Sequence, residues 1–324
     1  MNILVTGGAG YIGSHMVRCL LKNKLRPVVL DSLICGHKEA LPSDIKFYQG
    51  DIADHKLVSQ IIKTEKITAV MHFSAFINVS ESVENPYKYY ENNFVKTLSL
   101  LNSLRENSVE YFIFSSTAAV YGTHSVPKLT EQLELKPINP YGWSKLMTEQ
   151  ALKDFSTVGA LKYAALRYFN AAGADENGTI GEAHHPETHL IPLALQSILQ
   201  PKRQLKVFGT DYSTPDGTCV RDYIHICDLA EAHLKALEYI MKNKTSDYFN
   251  LGSENGYSVK EIIQTCEKVS GQKVNYQETE RRAGDPAYLV ADSSKARQIL
   301  GWQTTYDLEK IIATAWQWEQ NRRY

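Results

Sequence analysis

Cysteine is scarce: the 324 residues hold five (Cys19, Cys35, Cys219, Cys227, Cys266), scattered and without a C-x-x-C pair. An odd, unpatterned set excludes a disulfide framework. It suits thiols used as small apolar fillers in a reducing compartment, so a cytoplasmic location is expected. Long hydrophobic runs are missing as well. None reaches the roughly 20 residues of a membrane-spanning helix, and the chain enters a strand-like run at once, so neither a span nor a leader is expected. No sign of charge dominates, the formal net charge being −1, which excludes nucleic acid or an acidic membrane as the expected partner. There is no internal repeat, low-complexity tract or clean linker. What remains is a chain long enough to bury a large core, as one two-part unit or two domains.

The pattern that is present alternates. Short β-rich runs at 2–6, 27–31, 46–49, 69–73, 111–114 and 162–166 are separated by helical stretches at about 14–22, 54–65, 87–105 and 144–155. Alternation of this kind predicts right-handed crossovers and an α/β fold, a doubly wound, Rossmann-type parallel sheet. After residue 170 loops take over, then helices near 190–199, 228–241, 259–270 and 308–321 and a strand at 248–251. A smaller C-terminal α/β lobe is expected from this half. Residues 1–169, with 217–250 returning to them, would form the sheet domain, and 170–216 with 251–324 the lobe.

The first strand breaks into Gly7-Gly-Ala-Gly-Tyr-Ile-Gly13 and then a helix. Gly7 allows the tight turn, Gly10 lets backbone approach a pyrophosphate, and Gly13 lets the helix lie against the strand. The phosphate would rest on the helix N-terminus. Asp31 closes the second strand, where a carboxylate accepts both adenosine ribose hydroxyls and repels a 2′-phosphate, favouring NAD over NADP. Asp51, after the third strand, reads either as an acceptor for the adenine amino group or as a helix-start acid.

Tyr141 and Lys145 stand four residues apart at the start of a helix, so phenol and ammonium share one face. An ammonium beside the phenol would draw its pKa down towards a useful range for a base. Thr117 follows the fifth strand, at the strand C-ends where such sheets bind ligands. One further cluster draws attention: His184, His185 and His189 lie close together, but Pro186 interrupts them and no cysteine or carboxylate cluster completes a shell. No metal site is expected there.

These stretches carry a resemblance. The chain resembles the extended short-chain dehydrogenase/reductase family through Gly7–Gly13, Ser115-Ser-Thr-Ala-Ala-Val-Tyr-Gly122 and Pro140-Tyr-Gly-Trp-Ser-Lys145. Within that family it is similar to the UDP-glucose 4-epimerases. The segments are Leu166-Arg-Tyr-Phe-Asn170, Glu187-Thr-His-Leu-Ile-Pro192, Asp216-Gly-Thr-Cys-Val-Arg-Asp-Tyr-Ile-His225 and Arg281-Arg-Ala-Gly-Asp285.

The resemblance implies Tyr141 as catalytic base, Lys145 as its ammonium partner and ribose ligand, and Thr117 as hydroxyl relay to the sugar 4-OH. It implies that Tyr11, Ile12, Asp31, Ser32, Asp51, Ile52, Phe73, Ser74, Asn93 and Phe169 line an NAD site. Asn170, His189, Arg221, Arg282 and Asp285 would hold uridine diphosphate, and Leu289 would border the sugar. A homodimer through the helices that hold Tyr87 and Ser144 is implied likewise.

The expected reaction is interconversion of UDP-glucose and UDP-galactose, with N-acetylhexosamines or pentoses as alternative sugars. Related dehydratases and decarboxylases carry a glutamate two residues after the threonine. Ala119 stands there, and a methyl group transfers no proton. Thr117 replaces a frequent serine, Ser32 and His189 each replace a frequent asparagine, and Ile77 replaces an occasional lysine.

Overall fold

The computed structural model describes residues 1–282 and 285–324. Six strands appear in the first half: β1 (Asn2–Thr6), β2 (Arg26–Asp31), β3 (Lys46–Gln49), β4 (Ile67–His72), β5 (Tyr111–Ser115) and β6 (Lys162–Tyr168). With the later strand Asp247–Leu251 they form one seven-stranded sheet in the order Asp247–Leu251, β6, β5, β4, β1, β2, β3. Every pairing in it is parallel. Strands such as Val28-Val-Leu30 and Tyr111-Phe-Ile-Phe114 are apolar without alternation because helices cover both faces.

On one face Met16 and Leu20 of helix α1 (Tyr11–Lys22) pack with Leu229 and Leu237 of the helix Ile226–Asn243. On the other, Val58 and Ile61 of α2 (His55–Glu65) meet Leu100 and Leu104 of the helix Lys96–Glu106. The chain runs outward from β1 to β3 and then returns to β4 on the other side of β1. The reversal opens a crevice beyond the C-ends of β1 and β4, the usual ligand position on such sheets.

The remaining chain packs its helices Leu190–Leu199, Val259–Ser270 and Leu308–Gln320 around Leu195, Ile262 and Ile312. Small sheets join Leu205–Phe208 to Tyr276–Thr279, and Val220–Arg221 to both Tyr257–Ser258 and Tyr288–Leu289. Among the described residues no helix is long and apolar enough to cross a membrane.

The single helix expected at 87–105 is instead composite. A short turn, Pro86–Tyr89, passes into a π-helical segment, Tyr90–Val95, and then into the helix Lys96–Glu106. A π turn inserts one residue per turn and rotates the side chains that follow, a device common at functional sites. Here it carries Asn93 inward. Its amide donates to the Phe76 carbonyl at 2.9 Å and accepts from the Phe76 N–H at 2.9 Å. The helices Val79–Glu84 and Ser294–Leu300 were not expected; both are too short to leave a clear period in the sequence.

Candidate active site

The glycine turn is held by backbone contacts that exclude side chains. Gly7 has φ +71°, and a Cβ there would stand 2.6 Å from the Ser74 amide nitrogen. A Cβ on Gly13 would stand 2.2 Å from the Gly7 carbonyl oxygen, so α1 can reach β1 only with glycine at that place. Gly10 begins α1 with no side chain capping it, which leaves the first amides of the helix open to an anion. Asp31 is buried at the end of β2. Its carboxylate accepts from the Ala9 N–H at 2.9 Å and the Leu33 N–H at 2.8 Å, one donor per oxygen. Each oxygen keeps a lone pair for a ribose hydroxyl, so these residues fit a dinucleotide.

Phe73 and Ser74 follow β4 directly and, with partly buried Tyr11 and Ile12, line the same crevice; Ser32 lies beside Asp31, and Ile52 is buried. Tyr11 is tied across it, its hydroxyl donating to the Gly173 carbonyl at 2.6 Å. Asp51 is more engaged than expected: it takes the Lys96 ammonium at 2.6 Å and the Ala53 N–H at 2.9 Å. We expect Gly13→Ala to lose its dinucleotide on gel filtration and to melt earlier, because backbone rather than a flexible side chain must yield. Retention of a full equivalent, read from absorbance of the denatured supernatant, would contradict the cradle.

The helix Pro140–Val158 carries Tyr141 and Lys145. Asn139 caps it, accepting from the Gly142 N–H at 2.8 Å, and Pro140 occupies the first turn, where its missing N–H costs nothing. Thr117 caps the short turn Ala118–Val120, its hydroxyl oxygen accepting from the Ala119 N–H at 3.1 Å. The two segments meet at Gly142, where a Cβ would lie 2.6 Å from the Ala119 carbonyl oxygen. That close approach sets the Thr117 hydroxyl against the Tyr141 phenol. Burial pushes the phenol pKa up, and the hydrogen bond with Thr117 pulls it back down.

Lys145 departs from expectation. Its ammonium donates to the Ser115 carbonyl at 2.8 Å and lies 5.0 Å over the Phe114 ring. The group that relieves the Tyr141 phenol is therefore Thr117, and Lys145 is spent on the end of β5. Burial lowers the Lys145 pKa to about 7, with the Glu149 carboxylate opposing the shift.

Glu149 belongs to a network that the sequence reading missed. Its oxygens take Nε of Arg167 at 2.9 Å, a terminal nitrogen of Arg167 at 2.6 Å and the Ser116 hydroxyl at 2.6 Å. Arg167 also donates to the Tyr121 hydroxyl at 3.1 Å, which in turn donates to Asn250 at 2.6 Å. The Arg167 and Glu149 side chains are each only 3% exposed. The network fastens β6, the active-site helix and the residue before Thr117 to the returning strand Asp247–Leu251. An available signal was Glu149 itself, a carboxylate four residues beyond Lys145 on the same face.

On the other side of the crevice, Asn170 donates its amide to the Asp222 carbonyl at 2.7 Å. Arg221 donates to the Val220 and Pro286 carbonyls, each at 2.9 Å, and reaches Asp285 at 3.4 Å. Leu289 pairs with Arg221 in parallel register and packs, with Phe169, against Val120 and Tyr121. Leu289 and Phe169 thus reach the segment that follows Thr117, while Arg221, beside Leu289, holds Asp285. Arg282 is exposed, its guanidinium 3.8 Å from the centre of the Phe208 ring. Ala283 and Gly284, inside the Arg281–Asp285 segment, lie outside the described residues.

His189 is less free than expected. Its Nδ1 is 2.8 Å from Glu182 and 2.9 Å from Glu187, leaving Nε2 for any phosphate. These carboxylates hold the His189 pKa up at about 10 and that of His184 at about 9. The expectation that no carboxylate cluster surrounds the histidines is therefore corrected. Both carboxylates lie in the same loop, Glu182 two residues before His184 and Glu187 two before His189, and the folded course of that loop rather than a regular spacing gathers them.

A doubly wound parallel sheet, a glycine cradle at its switch point and a threonine–tyrosine pair over it define a dinucleotide-dependent enzyme of the short-chain type. The family model described as GDP-mannose 4,6 dehydratase matches residues 4–315. A UDP-glucose 4-epimerase of Lactobacillus helveticus is 50% identical over 322 residues, covering 99% of this chain and 98% of that one. The crystal structure of UDP-glucose 4-epimerase from Brucella ovis in complex with NAD is 45% identical, with TM-score 0.95 over 97% of each chain. The structure of the UDP-Glc/GlcNAc 4-epimerase from Campylobacter jejuni is also 45% identical, with TM-score 0.86 over 98% of this chain and 99% of that one. The chain belongs to the UDP-glucose 4-epimerase family.

Proposed function

We propose that the protein interconverts UDP-glucose and UDP-galactose, with NAD in the crevice between β1 and β4. The observation that carries the reading is the Thr117–Tyr141 pair beside the glycine cradle, with a methyl group, Ala119, where dehydration would need an acid. Residues 1–169, with 217–250, form the sheet domain that holds the cofactor through Gly7, Gly10, Gly13 and Asp31, and residues 170–216 and 251–324, joined by Arg221, hold the nucleotide sugar. The Asp31 carboxylate repels a 2′-phosphate and selects NAD over NADP.

NAD, held by the glycine cradle and Asp31, would supply the hydride acceptor for sugar C4 and the donor for its return. Tyr141 takes the proton of the 4-OH at its phenolic oxygen, and Thr117 passes that proton along through its hydroxyl. Return to the opposite face inverts the centre, so the chain must grip the diphosphate and leave the hexose loose. Arg221 and Arg282 supply the grip, since guanidinium forks bind phosphate in charge-assisted, bidentate fashion. Asn170, Asp285 and Nε2 of His189 complete that half.

The particular sugar rests on Leu289. An apolar side chain beside Val120, Tyr121 and Phe169 offers no partner to an acetamido group, and an unpaired buried amide costs about 1–3 kcal/mol. Plain hexoses should therefore be favoured by roughly 5- to 100-fold. Product separation after incubation with UDP-galactose or UDP-N-acetylglucosamine, without added cofactor, tests both points. Conversion of neither sinks the epimerase reading. Equal kcat/KM for both, or a ratio unmoved by Leu289→Ser, removes Leu289 as the gate.

The five cysteines are all free, which supports a reducing, cytoplasmic setting. Exposed Val83, Tyr87 and Val95 lie on the helical segments beside the active-site helix, and exposed Trp143 and Met147 on that helix itself. An apolar surface of this kind supports a homodimer through those helices.

A further inference from the structure

The loop that leads into the helix Leu190–Leu199 brings two imidazoles and two carboxylates together. The side-chain donors of Glu182, His184, Glu187 and His189 all lie within 4.8 Å of one another. His189 Nδ1 stands 2.8 Å from Glu182 and 2.9 Å from Glu187; His184 Nδ1 stands 3.1 Å from Glu182 and 3.7 Å from Glu187. A tetrahedral ion with metal–nitrogen and metal–oxygen distances of about 2.0–2.2 Å separates its ligands by roughly 3.3–3.6 Å. The observed spacings bracket that value.

A second observation points inward. The Glu187 side chain is only 3% exposed, yet its Oε2 has no hydrogen-bond partner. A buried carboxylate oxygen without a partner is costly. An ion held among the four donors gives that oxygen a partner.

The frame around the cluster is fixed. Trp318 donates its indole N–H to the Glu182 carbonyl at 2.8 Å, and the His37 ring lies 2.9 Å from the Ala183 carbonyl. His189 begins a regular helix, and the edge of the Tyr11 ring faces His184 with centroids 6.3 Å apart.

We propose that Glu182, His184, Glu187 and His189 form a structural site for a divalent transition-metal ion of the zinc type, which fastens this loop beside the glycine cradle. Four protein donors close the tetrahedron, as in structural rather than catalytic sites. Two imidazoles favour such an ion over magnesium or calcium, which take oxygen ligands.

The test uses the full chain with its bound dinucleotide, stripped by a chelator and desalted. Zinc ion alone, added back, should remain at about one equivalent per chain after gel filtration, measured by mass spectrometry of the metal, and should raise Tm. Cobalt(II) should give the intense visible bands of a four-coordinate ion in the wild-type protein. Glu187→Gln and His184→Ala should each weaken zinc binding by at least about 100-fold, whereas His55→Ala, at an exposed histidine paired with Glu106, should bind as wild type does. Zinc lost on gel filtration, a six-coordinate cobalt spectrum, or full binding in both ligand variants would overturn the site. The cobalt spectrum decides even if a variant does not fold.

Discussion

Tyr141→Phe should keep the fold and the bound dinucleotide while turnover falls by about 10²–10⁴-fold, the usual contribution of a general acid–base group. The ring remains, including its edge-to-face contact with Tyr89 at 6.5 Å, so packing changes little. What is lost is the phenol whose pKa the Thr117 hydroxyl pulls down. The pH profile adds a sign. Burial holds the phenol above its ordinary pKa, so the phenolate fraction and the rate should rise with pH across the neutral range. Thr117→Ala removes the hydrogen bond that opposes burial and should move this alkaline rise to still higher pH. Steady-state kcat with UDP-galactose, measured from neutral to alkaline pH, checks both. Turnover of Tyr141→Phe within a few-fold of wild type would remove the tyrosine from the chemistry.

The second large effect is on stability. Arg167→Met should cost about 3–5 kcal/mol, because it leaves the buried Glu149 carboxylate without its bidentate partner. The double variant Arg167→Met with Glu149→Leu should recover most of that loss, since no charge is then buried unpaired. Urea unfolding of the two variants and the parent measures the difference. Equal destabilisation of the single and double variants would mean that packing, not charge, holds this junction. Glu149→Gln should also lower the Lys145 pKa further, because the Glu149 charge is what opposes burial there.

Much of this was legible in the chain. The parallel sheet follows from apolar strands alternating with amphipathic helices. The cradle follows from three glycines at the end of the first strand, and the buried carboxylate beside it from Asp31 closing the second. Tyr141 and Lys145 share a helix face by spacing alone. All of these are encoded within a few residues, where backbone geometry dictates which side chains are neighbours. Other features depend on which of several competing partners folding brings within hydrogen-bond reach. Lys145 meets the Ser115 carbonyl rather than the phenol. Asn93 turns inward through a π segment that no helical period reveals. Arg167 finds Glu149 across 18 residues and Tyr121 across 46. The folded course of the loop before the helix Leu190–Leu199 turns a row of histidines and glutamates into a cluster of four donors. A buried ionisable group takes the nearest group that lowers its desolvation cost, and that neighbour is settled only when the sheet, the crossovers and the second lobe have packed.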